Sequence, residues 1–105
     1  MTRRLVFRAT SPLGYTVVLT RDRWREIVRF KHPALAGQER LVQQCIRQPQ
    51  VVRESVHDPD VHLHYAGASR GYLCVVVRPR DDQERLVVTA YFTREIKQGN
   101  EIWKK

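Results

Sequence analysis

The side chains able to do chemistry in this 105-residue chain are four histidines, many arginines and a few well-spaced hydroxyls. His32 stands in "RFKHPAL" (29–35), with Lys31 before it and Pro33 after it. A proline excludes helix from the residue preceding it, so the His-Pro step punctuates the chain and holds His32 at a corner. In "QVVRESV" (50–56), Arg53 and Ser55 alternate with Val52 and Val56. In "VHLHY" (61–65), His62 and His64 share one side, Leu63 and Tyr65 the other. In "ERLVVTAYFT" (84–93), Leu86, Val88, Ala90 and Phe92 form an apolar side fit for a core. Val87, Thr89, Tyr91 and Thr93 then show two hydroxyls and a phenol on the opposite side.

An imidazole titrates near neutrality and can serve as base or acid. Arginines and hydroxyls can offset the charge that develops on a phosphate. No carboxylate cluster accompanies them. The set that gathers on one sheet face is Arg53, His64 or Tyr65, Thr89 and Tyr91, with His32 at its border. Such a set has the parts for cleaving RNA through its own 2′-OH, which needs a base, an acid and cationic donors but no metal. A metal reading competes through His57, His62 and His64 with Asp58 and Asp60. It lacks any C-x-x-C or H-E-x-x-H, so neither metal nor cofactor is expected. A G-x-x-x-x-G-K-[ST] phosphate loop is also missing from the sequence.

Composition narrows the partner. Nineteen Lys and Arg against eleven Asp and Glu leave a net charge of +8. Arginine's planar fork suits phosphate, so a phosphate-rich partner is expected, with a solubilising surface or an acidic protein partner as the alternative. A hydrophobic share of 42% and a charged share of 29% are those of a globular chain, here read as a single domain over 1–105. No apolar run reaches the ~18 residues of a membrane span, and the N-terminus has no signal-peptide pattern, so a cytoplasmic location is expected. Cys45 and Cys74 sit in apolar stretches and read as reduced core thiols.

These residues need elements to position them. Within 1–14, "RRLVFRAT" (3–10) reads as an edge strand or an arm, and "YTVVLT" (15–20) as a strand. Thr20 caps a helix over about 20–31. Trp24, Ile27, Val28 and Phe30 form its apolar arc, and Arg21, Arg25 and Arg29 line its far side. A second helix over about 34–48 buries Leu35, Val42, Cys45 and Ile46, widened by Leu41, and stops at Pro49. Four strands follow at 50–56, 61–67, 71–79 and 84–93, joined by short polar links that imply an antiparallel meander. The tail "EIWKK" folds back so that Trp103 covers apolar surface. The expected architecture is α+β: an N-terminal strand element and two helices packed on a four-stranded antiparallel sheet, whose other face is solvated and polar.

Taken in order, "VVLTRDRWREIVRFKHPAL", "IRQPQVV", "HLHYAG", "YLCVVVRP" and "LVVTAYFTREIKQGNEIW" resemble the phage-associated nuclease-like domains of the barnase–EndoU–colicin E5/D–RelE superfamily. The resemblance covers roughly residues 15–103. It implies a helix-then-sheet fold and a metal-independent endoribonuclease of toxin or effector type, with a site on the exposed sheet face. RNA is the implied substrate, and an acidic antitoxin or immunity protein the implied partner. By position, His32, Arg53, Thr89 and Tyr91 match best as catalytic residues, and Tyr65 matches an aromatic of the second meander strand. Arg21, Arg25, Arg29, Lys31, His64, Tyr65 and Thr93 are the expected substrate-binding set. Ala34 departs from the pattern, which has an acidic residue after His-Pro, and leaves the partner of His32 unspecified. The alternative reading is a non-catalytic nucleic-acid-binding or protein-interaction domain with the same fold.

Overall fold

Thr20 leaves its strand in an extended conformation and accepts a hydrogen bond from the Arg23 backbone N–H at 3.2 Å. That cap opens α1 (Arg21–Glu26), with Asp22 placed against the positive end of the helix. The computed structural model describes residues 4–97 and 99–105, so the first residue of the predicted arm, Arg3, lies outside the described residues.

The helix does not continue regularly to Lys31. Over Ile27–Lys31 it widens into a π-turn, closed by the His32 backbone N–H donating to the Ile27 carbonyl at 2.6 Å. One extra residue in the turn rotates every side chain beyond it. Trp24 and Ile27 stay buried, but Phe30, expected in the apolar arc, is 77% exposed. The second helix also starts late. Pro33–Leu35 make a single 3-10 turn, Gly37 has φ +79°, and α2 spans Glu39–Arg47 rather than 34–48. A left-handed backbone at Gly37 cannot lie inside a right-handed helix. Leu35, Val42, Cys45 and Ile46 are nevertheless all buried as expected, because the 3-10 turn delivers Leu35 to the core.

The sheet corrects the expected architecture most. It has seven strands in mixed orientation, not four in antiparallel order, although the α+β class fits. The strands are β1 (Leu5–Thr10), β2 (Thr16–Thr20), β3 (Val51–Glu54), β4 (His62–Ala68), β5 (Gly71–Pro79), β6 (Glu84–Thr93) and β7 (Glu101–Lys104). Their spatial order is β1-β2-β6-β5-β4-β3-β7. The meander β3 to β6 is present, but β2 pairs parallel with β6 and brings β1 in at one edge. The tail does more than fold back: β7 pairs antiparallel with β3 and closes the other edge.

A second correction concerns the faces of β6. Val76 pairs with Thr89 but Val77 pairs with Val87, so Val88 is an extra residue at a β-bulge. Such an insertion reverses the side-chain alternation beyond it. Val87, expected on the polar side, therefore joins Ala90 in the core beneath the helices, while Leu86 and Val88 are only half-buried. The helix side holds the larger cluster, with Trp24, Ile27, Leu35, Ile46, Leu73 and Val75 among its members. The other face is not simply solvated either. Val51, Leu63, Tyr65 and Cys74 form a second apolar cluster there, partly covered by Ile96 from the β6–β7 connection. Burial on both faces explains the near-continuous apolar run of β5. Cys45 and Cys74 are both free and buried.

The β4–β5 hairpin carries a sharp expectation of its own. Gly71 has φ +143°, and a Cβ added there would lie 2.4 Å from the Thr93 carbonyl oxygen and 2.9 Å from the Arg94 Cα. Both neighbours are main chain and cannot swing away. Gly71→Ala should lower the unfolding free energy by roughly 2–4 kcal/mol, through strain and forced separation of β5 from the end of β6. Urea titration of the two chains measures it; equal midpoints would refute the close approach.

Candidate active site on the open sheet face

Pairing across the central strands sets two rows of side chains on the face opposite the helices. Arg53, Leu63, Val76 and Thr89 are register partners across β3, β4, β5 and β6. Val51, Tyr65, Cys74 and Tyr91 form the adjacent row. Thr89 and Tyr91 thus share the face, as their alternation predicts. Arg53 is on it too, but at a strand spacing of ~4.8 Å it begins about 14 Å from Thr89.

His32 reaches this face around an edge. β2 accompanies β6 only from Glu84 to Leu86. β6 also lies against α1, whose π-turn leads on to His32. His32 itself leaves the helical conformation, with φ −138° and ψ 74°. Its ring centroid comes to 5.7 Å from that of Tyr91, with the planes tilted by 37°. The His-Pro corner and the "VTAY" strand therefore meet.

A residue missed in the sequence joins them. Lys97, in the polar β6–β7 connection, holds its ammonium nitrogen 5.0 Å from the centre of the same Tyr91 ring. Its backbone is pinned on two sides. The Lys97 N–H donates to the Tyr65 hydroxyl at 3.1 Å, and an Arg53 guanidinium nitrogen donates to the Lys97 carbonyl at 3.1 Å. Arg53 and Tyr65 thus act on the site mainly by setting where Lys97 lies. The available signal is a lysine two positions before Gly99, in a short connection between two strands where the chain must fold over the sheet.

Thr89, Tyr91 and Lys97 line a groove of about 400 Å³ together with Ser55, His57 and an apolar floor that includes Leu63. His57, which continues the polar side of Arg53 and Ser55 in the sequence and also enters the metal reading, is exposed on the β3–β4 connection, its N–H bonded to the Ser55 hydroxyl. Thr89 Oγ1 and Arg53 Nε are buried polar atoms without a hydrogen-bond partner among the described residues. The Tyr91 hydroxyl is pushed well above the ordinary phenol range, first by burial and then by Cys74 beside it. Burial likewise raises Tyr65 to about 12. Both phenols therefore keep their protons at neutral pH. Thr93 lies further along the face, its hydroxyl bonded to the Glu95 carbonyl.

His64 does not belong to this site. It pairs with Val75 and points to the helix side, fully buried, with Nε2 2.9 Å from the Ser11 hydroxyl. Burial holds its pKa down at about 3, aided by His62 and Arg85, so it stays neutral. Tyr15, whose hydroxyl is 2.8 Å from His62 Nδ1, packs edge-on against His64 and lies beneath the Arg85 guanidinium. This cluster ties the β1–β2 turn to β4. Among the described residues, no group of three or more His, Cys, Asp or Glu is placed to hold a metal ion. No helix among them is long and apolar enough to cross a membrane.

Arg21, Arg25, Arg29 and Lys31 are all exposed on α1 and the π-turn that leads to His32. The arrangement offers a histidine, a protonated phenol and a lysine ammonium around one ring, with an arginine-lined approach. That is equipment for an anionic substrate needing a proton moved. No family model, curated protein or solved structure matches the chain.

Proposed function

We propose that this protein is a metal-independent endoribonuclease acting in the cytoplasm, of toxin or effector type, with its site at His32, Tyr91 and Lys97. The observation that carries the reading is the meeting of the His32 and Lys97 side chains on the Tyr91 ring, at 5.7 and 5.0 Å. The His32 imidazole takes the proton of a ribose 2′-OH. The freed oxygen attacks the adjacent phosphorus, the P–O5′ bond breaks, and the leaving oxygen takes a proton from the Tyr91 hydroxyl. Lys97 offsets the charge of the five-coordinate phosphorus, with Thr89 as a further donor. Arg53 positions Lys97 through its carbonyl. The same basic face is what an acidic antitoxin or immunity protein would cover.

The purified protein, incubated in EDTA with unstructured and structured RNA, should yield fragments ending in 2′,3′-cyclic phosphate and 5′-hydroxyl. A folded protein that cuts no RNA would overturn the proposal. The wide spacing of Arg53 and Thr89, three strands apart in one row, favours a second reading: a nucleic-acid-binding domain without catalysis. It predicts salt-dependent RNA binding that survives removal of His32 and Tyr91 chemistry together, with no product formed.

A further inference from the structure

We infer that Phe30 is a stacking platform for an unpaired nucleobase, which makes single-stranded RNA the substrate class of the proposed site. The inference rests on the nucleic-acid reading of that site and adds the form of the ligand. A single exposed apolar side chain is ordinary on a protein surface. Three features set this one apart. At 77% Phe30 is more exposed than Val56, Phe92 or Leu41, the other large apolar side chains on the surface among the described residues. It is put there by the π-turn, the same backbone irregularity that ends at His32. Its neighbours are cations: the Arg29 guanidinium lies 5.9 Å from its ring centre, and Lys31 is exposed beside it.

A regular helix would have turned Phe30 towards Trp24 and Ile27, where burial would stabilise the fold. The π-turn forgoes that burial and presents a flat aromatic face in a basic surrounding. Aromatic rings stack on bases whatever their identity, provided the base is not already paired, and arginine and lysine beside them bind the phosphates. Two residues span at most about 7 Å, so a base on Phe30 lies next to the phosphate that His32 would address. Duplex RNA keeps its bases inside the stack and offers Phe30 nothing.

The test measures binding to a 2′-O-methyl RNA single strand, which lacks the attacking hydroxyl and so cannot be cut by this chemistry. Phe30→Ala should weaken binding about tenfold, within the roughly 5- to 150-fold that one base–aromatic stack supplies. Phe30→Trp should retain the affinity, and Phe30→Leu should fall with alanine. The dependence of affinity on salt should be unchanged in Phe30→Ala but shallower in Arg29→Ala, since only the latter removes a phosphate contact. An abasic strand or a matched duplex should bind the native chain and Phe30→Ala alike. If the native chain binds the single strand and Phe30→Ala or Phe30→Leu binds it equally, stacking is wrong while the nucleic-acid reading stands. If the native chain binds no strand at all, both fall.

Discussion

Replacing His32 by alanine should slow RNA cleavage by about 10²–10⁴-fold, the usual loss when a positioned acid or base is removed. The fold should be unaffected, because His32 is only half-buried and makes no side-chain hydrogen bond among the described residues. A change in unfolding free energy beyond about 0.5 kcal/mol would point to a packing role instead. Tyr91→Phe separates the two contributions of its partner. It keeps the ring against which His32 and Lys97 are set and removes only the hydroxyl. If the hydroxyl protonates the leaving oxygen, this variant also loses rate while binding RNA normally. The double variant should then be little slower than the worse single one, because residues acting in one step do not add. Full activity in His32→Ala would remove His32 from the chemistry, and additive losses would show that the two groups do not act in one step. Initial rates on one RNA, paired with binding to its 2′-O-methyl counterpart, decide between these outcomes.

Acidification should destabilise the protein well before its carboxylates are protonated, and His64 is the reason. In the unfolded chain its imidazole titrates near ~6.5. In the fold, burial, aided by His62 and the Arg85 guanidinium, holds it to about 3. Above pH 6.5 both states are neutral at this position and its contribution to stability is fully present. As pH falls below that, the unfolded chain takes up a proton that the folded one refuses. Stability then drops at up to about 1.4 kcal/mol per pH unit until the folded pKa is approached. His62, half-buried under the same Arg85, is lowered in the same direction and reinforces the trend. Urea unfolding between pH 7.5 and 4.5 measures the slope. His64→Gln, which keeps a polar group near Ser11 but cannot titrate there, should flatten it whatever its own baseline stability. Parallel pH dependence in both chains would exclude His64 as the source.

The local signals of this chain survive folding where they rest on neighbours in sequence. Thr20 caps, Pro33 and Gly37 interrupt, the apolar spacing of Val42, Cys45 and Ile46 makes one buried stripe, and β5 and β6 take the bounds their residues predict. Alternation also puts Thr89 and Tyr91 on one face, since their bulge lies before them in the chain. What alternation cannot tell is which face a helix will cover. His64 and Tyr65 are equal candidates by alternation. Only packing under the β1–β2 turn makes one a neutral core residue and the other a support for Lys97.

Tertiary structure alone decided the rest, for the physical reason that strand pairing is a long-range choice. β2 inserts parallel beside β6, more than sixty residues later, and β7 adds to β3; neither pairing leaves a mark in the period of either strand. The π-turn and the β-bulge at Val88 each add one residue to a regular pattern, and each reverses an orientation that regular geometry assigns, to Phe30 and to Val87. Lys97 enters the site through contacts with Tyr65 and Arg53 that are 32 and 44 residues distant. The sequence by itself determined the chemical repertoire of a basic α+β chain carrying a histidine at a proline corner. The tertiary structure decided that this corner faces Tyr91, because only the folded chain brings the His32 ring within 5.7 Å of a strand residue almost sixty positions later.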